Sequence, residues 1–347
     1  MTRARCLPGV STALLLVGCS SPQDYMHAGG PAAAGLAHLG WTSLLAAGAA
    51  TVIMWLLLGW ISLRPRGTLA EHAPVDANSG QKWILYGGFL WPLVVLVGLY
   101  SVMLVTLRAY PMETAPHGFI CRADPTTCPP AAIRIVGHQW WFDVQYLFDR
   151  EDLNVQNATE IHVPVGKPVV LELVTRDVIH SFWIPKLHGK VDLVPGQTNE
   201  IEIQAGAPGV YDGECAEFCG QQHAHMRLLV VAQKDEEFGA WLAAQRAPAK
   251  DPANEAARHG RDVFMSAACV LCHRIAGTQA QGQVGPDLTH VGSRQTIAGG
   301  MLRNTTANLA AWITHAQSLK PGAQMPDITA FDGEELRALV SYLQSLQ

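Results

Sequence analysis

Two long stretches of this chain carry no charge, and they limit what it can fold into more than any other feature. From Tyr25 to Leu63 there is no Asp, Glu, Lys or Arg, and the predominantly apolar part runs from Leu36 to Leu63. A second stretch, Trp83 to Leu107, reads WILYGGFLWPLVVLVGLYSVMLVTL. Each exceeds the ~20 apolar residues that cross a bilayer as a helix, and Pro92 is tolerated there as a kink. Buried core helices of a soluble protein are the alternative, which runs of this length without a charge argue against. The expected spans are residues 36–63 and 83–107. Only 15% of the 347 residues are charged, against ~25% in an average soluble domain. The net charge of -5 offers no basic footprint, which disfavours a nucleic-acid partner.

Ahead of both spans, MTRARCLPGVSTALLLVGCSS arranges Arg3 and Arg5, a short apolar run and Leu16-Val17-Gly18-Cys19 in the order of an export signal. The ending resembles the lipobox of bacterial lipoproteins. That resemblance implies removal of residues 1–18 and a lipid on Cys19; an ordinary or an uncleaved signal is the alternative. Arg64, Arg66 and Lys82 lie between the spans, and positive loops favour the cytoplasm. The first helix is therefore expected to run inward and the second outward, with everything after Arg108 on the outer side.

From Ile133 the pattern changes to short Val- and Ile-rich segments bounded by Gly, Pro, Asn and Asp: IRIVG, TEIHVPV, KPVVLELV, TNEIEIQA, GVYDGEC and MRLLVVA. Regularly spaced short strands predict an antiparallel sandwich or barrel, here over residues 115–235. A charged run, a short helix around Trp241 and RAPAKDPANEAA then read as a connector over residues 236–254. Residues 255–347 read as helices, EAARHGRDVFMSAA, NLAAWITHAQ and GEELRALVSYLQSL, with Leu336, Leu339, Val340 and Leu343 on one apolar face.

The eight cysteines fall as Cys6, Cys19 and three pairs. Exported chains normally use such pairs as disulfides, and that is the expectation for Cys121 and Cys128. Cys269-Val-Leu-Cys272-His273 is different: the spacing lets both thiols add to haem vinyl groups while the adjacent imidazole ligates the iron. Cys215-Ala-Glu-Phe-Cys219-Gly-Gln-Gln-His223-Ala-His225-Met226 gathers two thiols, an imidazole and a thioether within twelve residues. That soft ligand set suits copper, with zinc and a disulfide as alternatives.

Downstream of the CxxCH, Gly285-Pro286-Asp287-Leu288 and Gln324-Met325-Pro326 resemble the haem-packing and axial-methionine loops of class I cytochromes c. The resemblance implies a haem c held covalently by Cys269 and Cys272, with His273 and Met325 as axial ligands and Met301 as the lesser competitor. CxEFCGxxHxxM, with Asp177-Val-Ile-His180-Ser-Phe-Trp-Ile-Pro185 and Lys190-Val-Asp192-Leu-Val-Pro195-Gly196 before it, resembles the copper region of cytochrome c oxidase subunit II. It implies a binuclear copper A bridged by Cys215 and Cys219. His180 and Met226 would complete one copper, and His223 and the backbone carbonyl of Glu217 the other. The Glu217 side chain is further implied to reach a magnesium ion at the contact with subunit I. Gly137-His138-Gln139-Trp140-Trp141-Phe142 resembles the aromatic patch of that family, which implies an exposed Trp140 acting as electron relay; ordinary packing is the alternative. His138, His162, His188 and His225 read as structural or surface residues.

In combination these features resemble subunit II of caa3-type haem-copper oxidases from about residue 20 to the end. The implied fold is a multidomain membrane protein: a two-helix transmembrane hairpin, a cupredoxin-like all-β Greek-key barrel and an all-α class I cytochrome c domain. The implied activity is that of a proton-pumping cytochrome c oxidase. This chain would pass electrons from a cytochrome c donor through haem c and copper A to haem a of subunit I, where dioxygen is reduced to water. Subunits I and III and membrane lipid are the implied partners, in a bacterial cytoplasmic membrane with both exported domains on the outer side. A copper-containing nitric oxide reductase and a membrane-anchored electron-transfer protein are the alternatives. A quinol oxidase subunit would lack the copper ligands, and a nitrous oxide reductase would need a catalytic propeller. In one place the chain departs from the family: no acid lies between Asn78 and Arg108, where many relatives carry a Glu, and the nearest are Glu71 and Asp76.

Overall fold

The structure is a computed structural model in which residues 21–65, 77–109 and 132–347 are described. The export signal with Cys19, the loop residues Arg66, Glu71 and Asp76, and the pair Cys121 and Cys128 lie outside the described residues.

Both charge-free stretches are helical. Helix α1, Pro31–Leu63, starts with Pro31 in its first turn, where the missing N–H costs nothing. Helix α2 runs through Ala77–Trp83, a wide π turn at Ile84–Leu90, and Trp91–Ala109. The wide turn abuts Pro92, whose ring would collide with a carbonyl four residues back in a regular helix. Both helices are apolar enough to span a bilayer, with mean hydropathy 2.1 and 2.2. Leu45 and Trp55 on α1 and Leu96 and Val105 on α2 are more than half exposed. Apolar surface this extensive needs lipid around it.

Helix α1 begins before the expected span because its first turn docks on the exported unit. Ala32 and Ala33 are buried, the Ala33 N–H donates to the Leu187 carbonyl at 3.3 Å, and the Gly29 N–H donates to Lys186 at 2.7 Å. The start of α1 thus shares a side with the exported unit, and α2 ends shortly before that unit begins. Arg64 and Lys82 are left at the opposite end of the hairpin, in keeping with the charge-based orientation.

Among the described residues the β unit has ten strands in two five-stranded sheets. One is ordered β3-β2-β1-β5-β8, with β1 Ala132–His138, β2 Trp141–Leu147, β3 Val155–Ala158, β5 Val169–Thr175 and β8 Asn199–Ile203. The other is β4-β10-β9-β6-β7, with β4 Glu160–Pro164, β6 His180–Trp183, β7 Val191–Leu193, β9 Gly209–Cys215 and β10 Arg227–Gln233. The pairs β1/β5 and β4/β10 are parallel, so the expected barrel is a mixed cupredoxin-like sandwich. Alternation sets the core: Val169, Leu171 and Leu173 of β5 point inward while their neighbours are half-exposed. All five residues of the edge strand β4 are buried. Helix α3, Asp235–Gln245, covers part of it, with Trp241 stacked on His162 at 3.9 Å. Much of the connector sequence is therefore part of the β unit.

The last third is helical. Helix α4, Glu255–Ser266, crosses the C-terminal helix at Gly260, where a Cβ would lie 1.9 Å from the Ala338 carbonyl oxygen. Only glycine lets the two backbones approach so closely. The short helix α5, Cys269–Cys272, follows, then a two-residue hairpin, β11 Thr296–Ile297 and β12 Leu302–Arg303. Helices α6 Thr306–Thr314 and α7 Ala316–Leu319 lead to α8 Gly333–Ser345, which is capped by Asp332. Leu339, Val340 and Leu343 of α8 are buried as their spacing predicts.

Candidate functional site

Two loops at one end of the sandwich bring the soft ligands together. His180 opens β6, fully buried, and Cys215 closes the neighbouring strand β9. The chain then loops through Glu217 and Cys219, makes one 3-10 turn at His223–His225, and enters β10 beyond Met226. The Cys215 and Cys219 sulfurs are 3.7 Å apart, well beyond the ~2.05 Å of a disulfide. Cys215 Sγ lies 3.9 Å from His180 Nδ1 and 3.3 Å from the Glu217 carbonyl oxygen. Cys219 Sγ lies 3.7 Å from His223 Nδ1 and 3.9 Å from Met226 Sδ. All six residues carried over from the motif therefore meet around one pair of sulfurs.

The electrostatics suit a bound cation. The contact with Cys219 pulls Cys215 well below the usual thiol range, and the same contact together with burial pushes Cys219 well above it. A metal between them removes the repulsion that keeps the second proton in place. His180 is held from behind: its Nε2 is 2.8 Å from Asp177 Oδ1, which leaves Nδ1 facing the sulfurs. Asp177 also accepts from the backbone N–H groups of Gln139 and Val178, both at 2.7 Å. Its orienting role was not read from the sequence, although it opens the quoted His180 motif; acid-x-x-His on a strand entrance is the signal that could have found it.

The structure corrects the reading of Trp140 as an exposed residue. It is 9% exposed, because the helical unit packs directly over it. Its indole Nε1 donates to the Cys219 carbonyl at 3.0 Å, and Gln139 Nε2 donates to the same oxygen at 2.7 Å.

On the other side of Trp140 lies an apolar cavity of about 270 Å³. Cys269, Cys272, His273 and Met325 line it, and so do Gln139, Trp140 and Trp141 from the β unit. His273 Nδ1 donates to the Pro286 carbonyl at 2.8 Å, which leaves Nε2 free for a ligand. Burial holds the imidazole below its ordinary pKa and hence neutral. Gln317 fastens the methionine loop by donating to the carbonyls of Ala323 and Met325 at 2.7 and 2.6 Å. Met301 does not line the cavity, and Met325 is the thioether that lines it together with His273. Two thiols, a neutral imidazole and a thioether on an apolar wall fit a covalently held haem. Glu217 is half-buried beside the exposed Phe218, with its backbone turned to Cys215.

Similarity to known proteins follows the same division. Residues 131–233 match the family described as cytochrome c oxidase subunit II, periplasmic domain, and residues 257–347 match cytochrome c. Cytochrome c oxidase subunit 2 of Alkalihalophilus pseudofirmus is 38% identical over 251 residues, 71% of this chain and 70% of that protein. The Bacillus subtilis protein of the same description is 24% identical over 292 residues, 81% of this chain and 80% of that one. The crystal structure of the periplasmic domain of cytochrome oxidase subunit II from Bradyrhizobium japonicum aligns at TM-score 0.31 with 28% identity, covering 33% of this chain and 92% of that domain.

Proposed function

The chain belongs to the cytochrome c oxidase subunit 2 family and carries a cytochrome c domain; we propose that it is the electron inlet of a haem-copper oxidase, passing electrons from a cytochrome c donor to a covalent haem c, then to a binuclear copper A, and on to haem a of subunit I. One observation carries this reading. Trp140 lines the cavity of the CxxCH segment and hydrogen bonds through its indole to the backbone of Cys219, so a buried residue is common to the two candidate redox sites.

Haem c and copper A would supply reversible one-electron oxidation and reduction, and nothing else is asked of this chain. Its residues hold and orient. Cys215, Cys219, His180, Met226, His223 and the Glu217 carbonyl would hold the copper. The buried Met226 thioether beside Cys219 favours copper over zinc, which prefers thiolate, imidazole and carboxylate. Strands β6, β9 and β10 anchor the ligands, so they move little when charge changes. Cys269 and Cys272 would attach the haem and His273 and Met325 would hold its iron, inside a wall that is largely apolar. Trp140 is the relay between the two sites.

The rim of the copper loop carries exposed Val178, Ile179 and Phe218. An apolar rim beside a metal cluster suits burial against subunit I, with the Glu217 carboxylate available to a magnesium ion there. Proton pumping and dioxygen reduction belong to subunit I, with subunit III in the same complex, in a cytoplasmic membrane to which Cys19 adds a lipid anchor.

The test is to purify the complex and assay oxygen and nitric oxide consumption in parallel. Oxygen consumption fed by cytochrome c, with a delocalised mixed-valence copper signal that disappears in Cys219→Ser and low-spin haem that disappears in His273→Ala, is the expected result. Consumption of nitric oxide alone, or zinc at the cluster, would refute it.

A further inference from the structure

The seam between the β unit and the helical unit contains a charged side chain that borders the haem cavity without supplying a ligand to either candidate site. Lys320 follows α7 and is 2% exposed. Its ammonium donates to the carbonyl oxygens of Trp140 at 2.8 Å, His225 at 2.9 Å and Ala298 at 2.8 Å. An ammonium has three donors, so all are used. Two acceptors belong to the copper-loop side: Trp140 sits between β1 and β2, and His225 adjoins Met226. The third, like Lys320 itself, belongs to the helical unit. Burial pulls the amine down to about 7.

The surrounding backbone is shaped for this contact. Ala298, Gly299 and Gly300, between β11 and β12, all have positive φ, at 57°, 70° and 81°. A Cβ on Gly299 would lie 2.3 Å from the Trp140 carbonyl oxygen and 2.5 Å from the ammonium. Further bonds cross the same seam. The Gly299 carbonyl accepts from the Arg227 N–H at 2.9 Å, the Glu160 carboxylate accepts from the N–H groups of Gln295 and Thr296, and the buried Arg294 donates to Asn157 Oδ1 at 2.8 Å.

We propose that Lys320 is a positioning residue that fixes the cytochrome domain in one register over the Trp140 side of the copper loop, making the fused haem a docked carrier rather than a tethered one. The inference rests on the haem and copper reading above. The physical reason is an asymmetry. Burying the ammonium gives little net attraction, but removing it strands three carbonyls out of water in the docked state, a penalty that undocking relieves. One register satisfies all three bonds, and neighbouring registers satisfy fewer.

The test uses the intact complex with Lys320→Met, which keeps the side-chain length and removes the donors. Amide exchange at Arg227 and Thr296 is expected to speed up about a hundredfold, equivalent to ~2.7 kcal/mol at 1.4 kcal/mol per decade. Haem-to-copper electron transfer after flash reduction should slow, while KM for the external donor and the haem and copper contents stay as in the unmodified protein. Unchanged exchange, or faster exchange with unchanged electron transfer, would overturn the proposal. If Lys320→Met does not accumulate, Gly299→Ala probes the same contact with the lysine retained; it should raise exchange at the same amides, and protection equal to the unmodified protein overturns the proposal. Absence of haem or copper from the unmodified protein would instead count against the underlying reading.

Discussion

Replacing Asp177 with Asn isolates the contribution of a residue that touches neither sulfur. The carboxylate accepts on both oxygens: Oδ1 from His180 Nε2 at 2.8 Å and from the Val178 N–H at 2.7 Å, and Oδ2 from the Gln139 N–H at 2.7 Å. An amide has one acceptor oxygen. In Asp177→Asn its NH2 group must therefore face either the His180 and Val178 N–H groups or the Gln139 N–H, and at least one hydrogen bond is lost whichever way it turns. If the oxygen stays toward Gln139, His180 loses the partner that fixes its tautomer and ring orientation. Groups behind a metal-ligating histidine are worth about 10- to 100-fold in metal affinity, or ~1.4–2.7 kcal/mol. That matches the ~1.5–3 kcal/mol of a hydrogen bond to a charged group. The assay is copper loading of the full-length chain against a calibrated chelator, read as copper bound per chain. Asp177→Asn should lose affinity within that range, and Asp177→Ala at least as much, with Cys215 and Cys219 still able to bind. Affinity within twofold of the unmodified protein in both variants would mean that the buried position of His180 alone orients the ring.

Two further outcomes concern the helical unit. Gly260→Ala forces α4 away from α8, since its Cβ would lie 1.9 Å from the Ala338 carbonyl; a cost of about 2–3 kcal/mol should lower the melting temperature of the haem unit by roughly 10 °C or more, and an unchanged melt would show that the helices slide apart without cost. Asp332, held below the usual carboxylate range by the N–H groups of Glu335 and Glu334 at the start of α8, contributes its cap in full above about pH 4 and loses it as the pH falls through its lowered folded value. Melting curves of the unmodified protein and Asp332→Ala should thus differ at pH 7 and converge near pH 2, whereas a gap that persists at acid pH would assign the effect to something other than the charged cap.

How far the sequence could be read depends on the range of the interactions involved. The membrane helices, the CxxCH segment and the copper loop are local patterns, and each chemistry needs its residue types at short, definite spacing. The six segments read as strands appear as β1, β4, β5, β8, β9 and β10. Strand β2 was hidden within the aromatic run that begins at Gly137, and β3, β6 and β7 are too short to show a two-residue period. Helix α3 read as part of a connector because its sequence is charged and Ala-rich, yet Phe238 and Leu242 are buried against the sheet.

Trp140 and Lys320 show the limit most clearly. Both sequence neighbourhoods fit an exposed residue, one by likeness to a docking patch and the other by charge. Their burial comes from contacts 180 residues apart in the chain, between Trp140 and Lys320 themselves. By itself the sequence determined the two candidate ligand sets, because ligand identity and spacing are covalent properties of a short segment. The tertiary structure alone decided that the two units share a buried, hydrogen-bonded seam, because burial depends on what packs over a residue and not on the residues beside it.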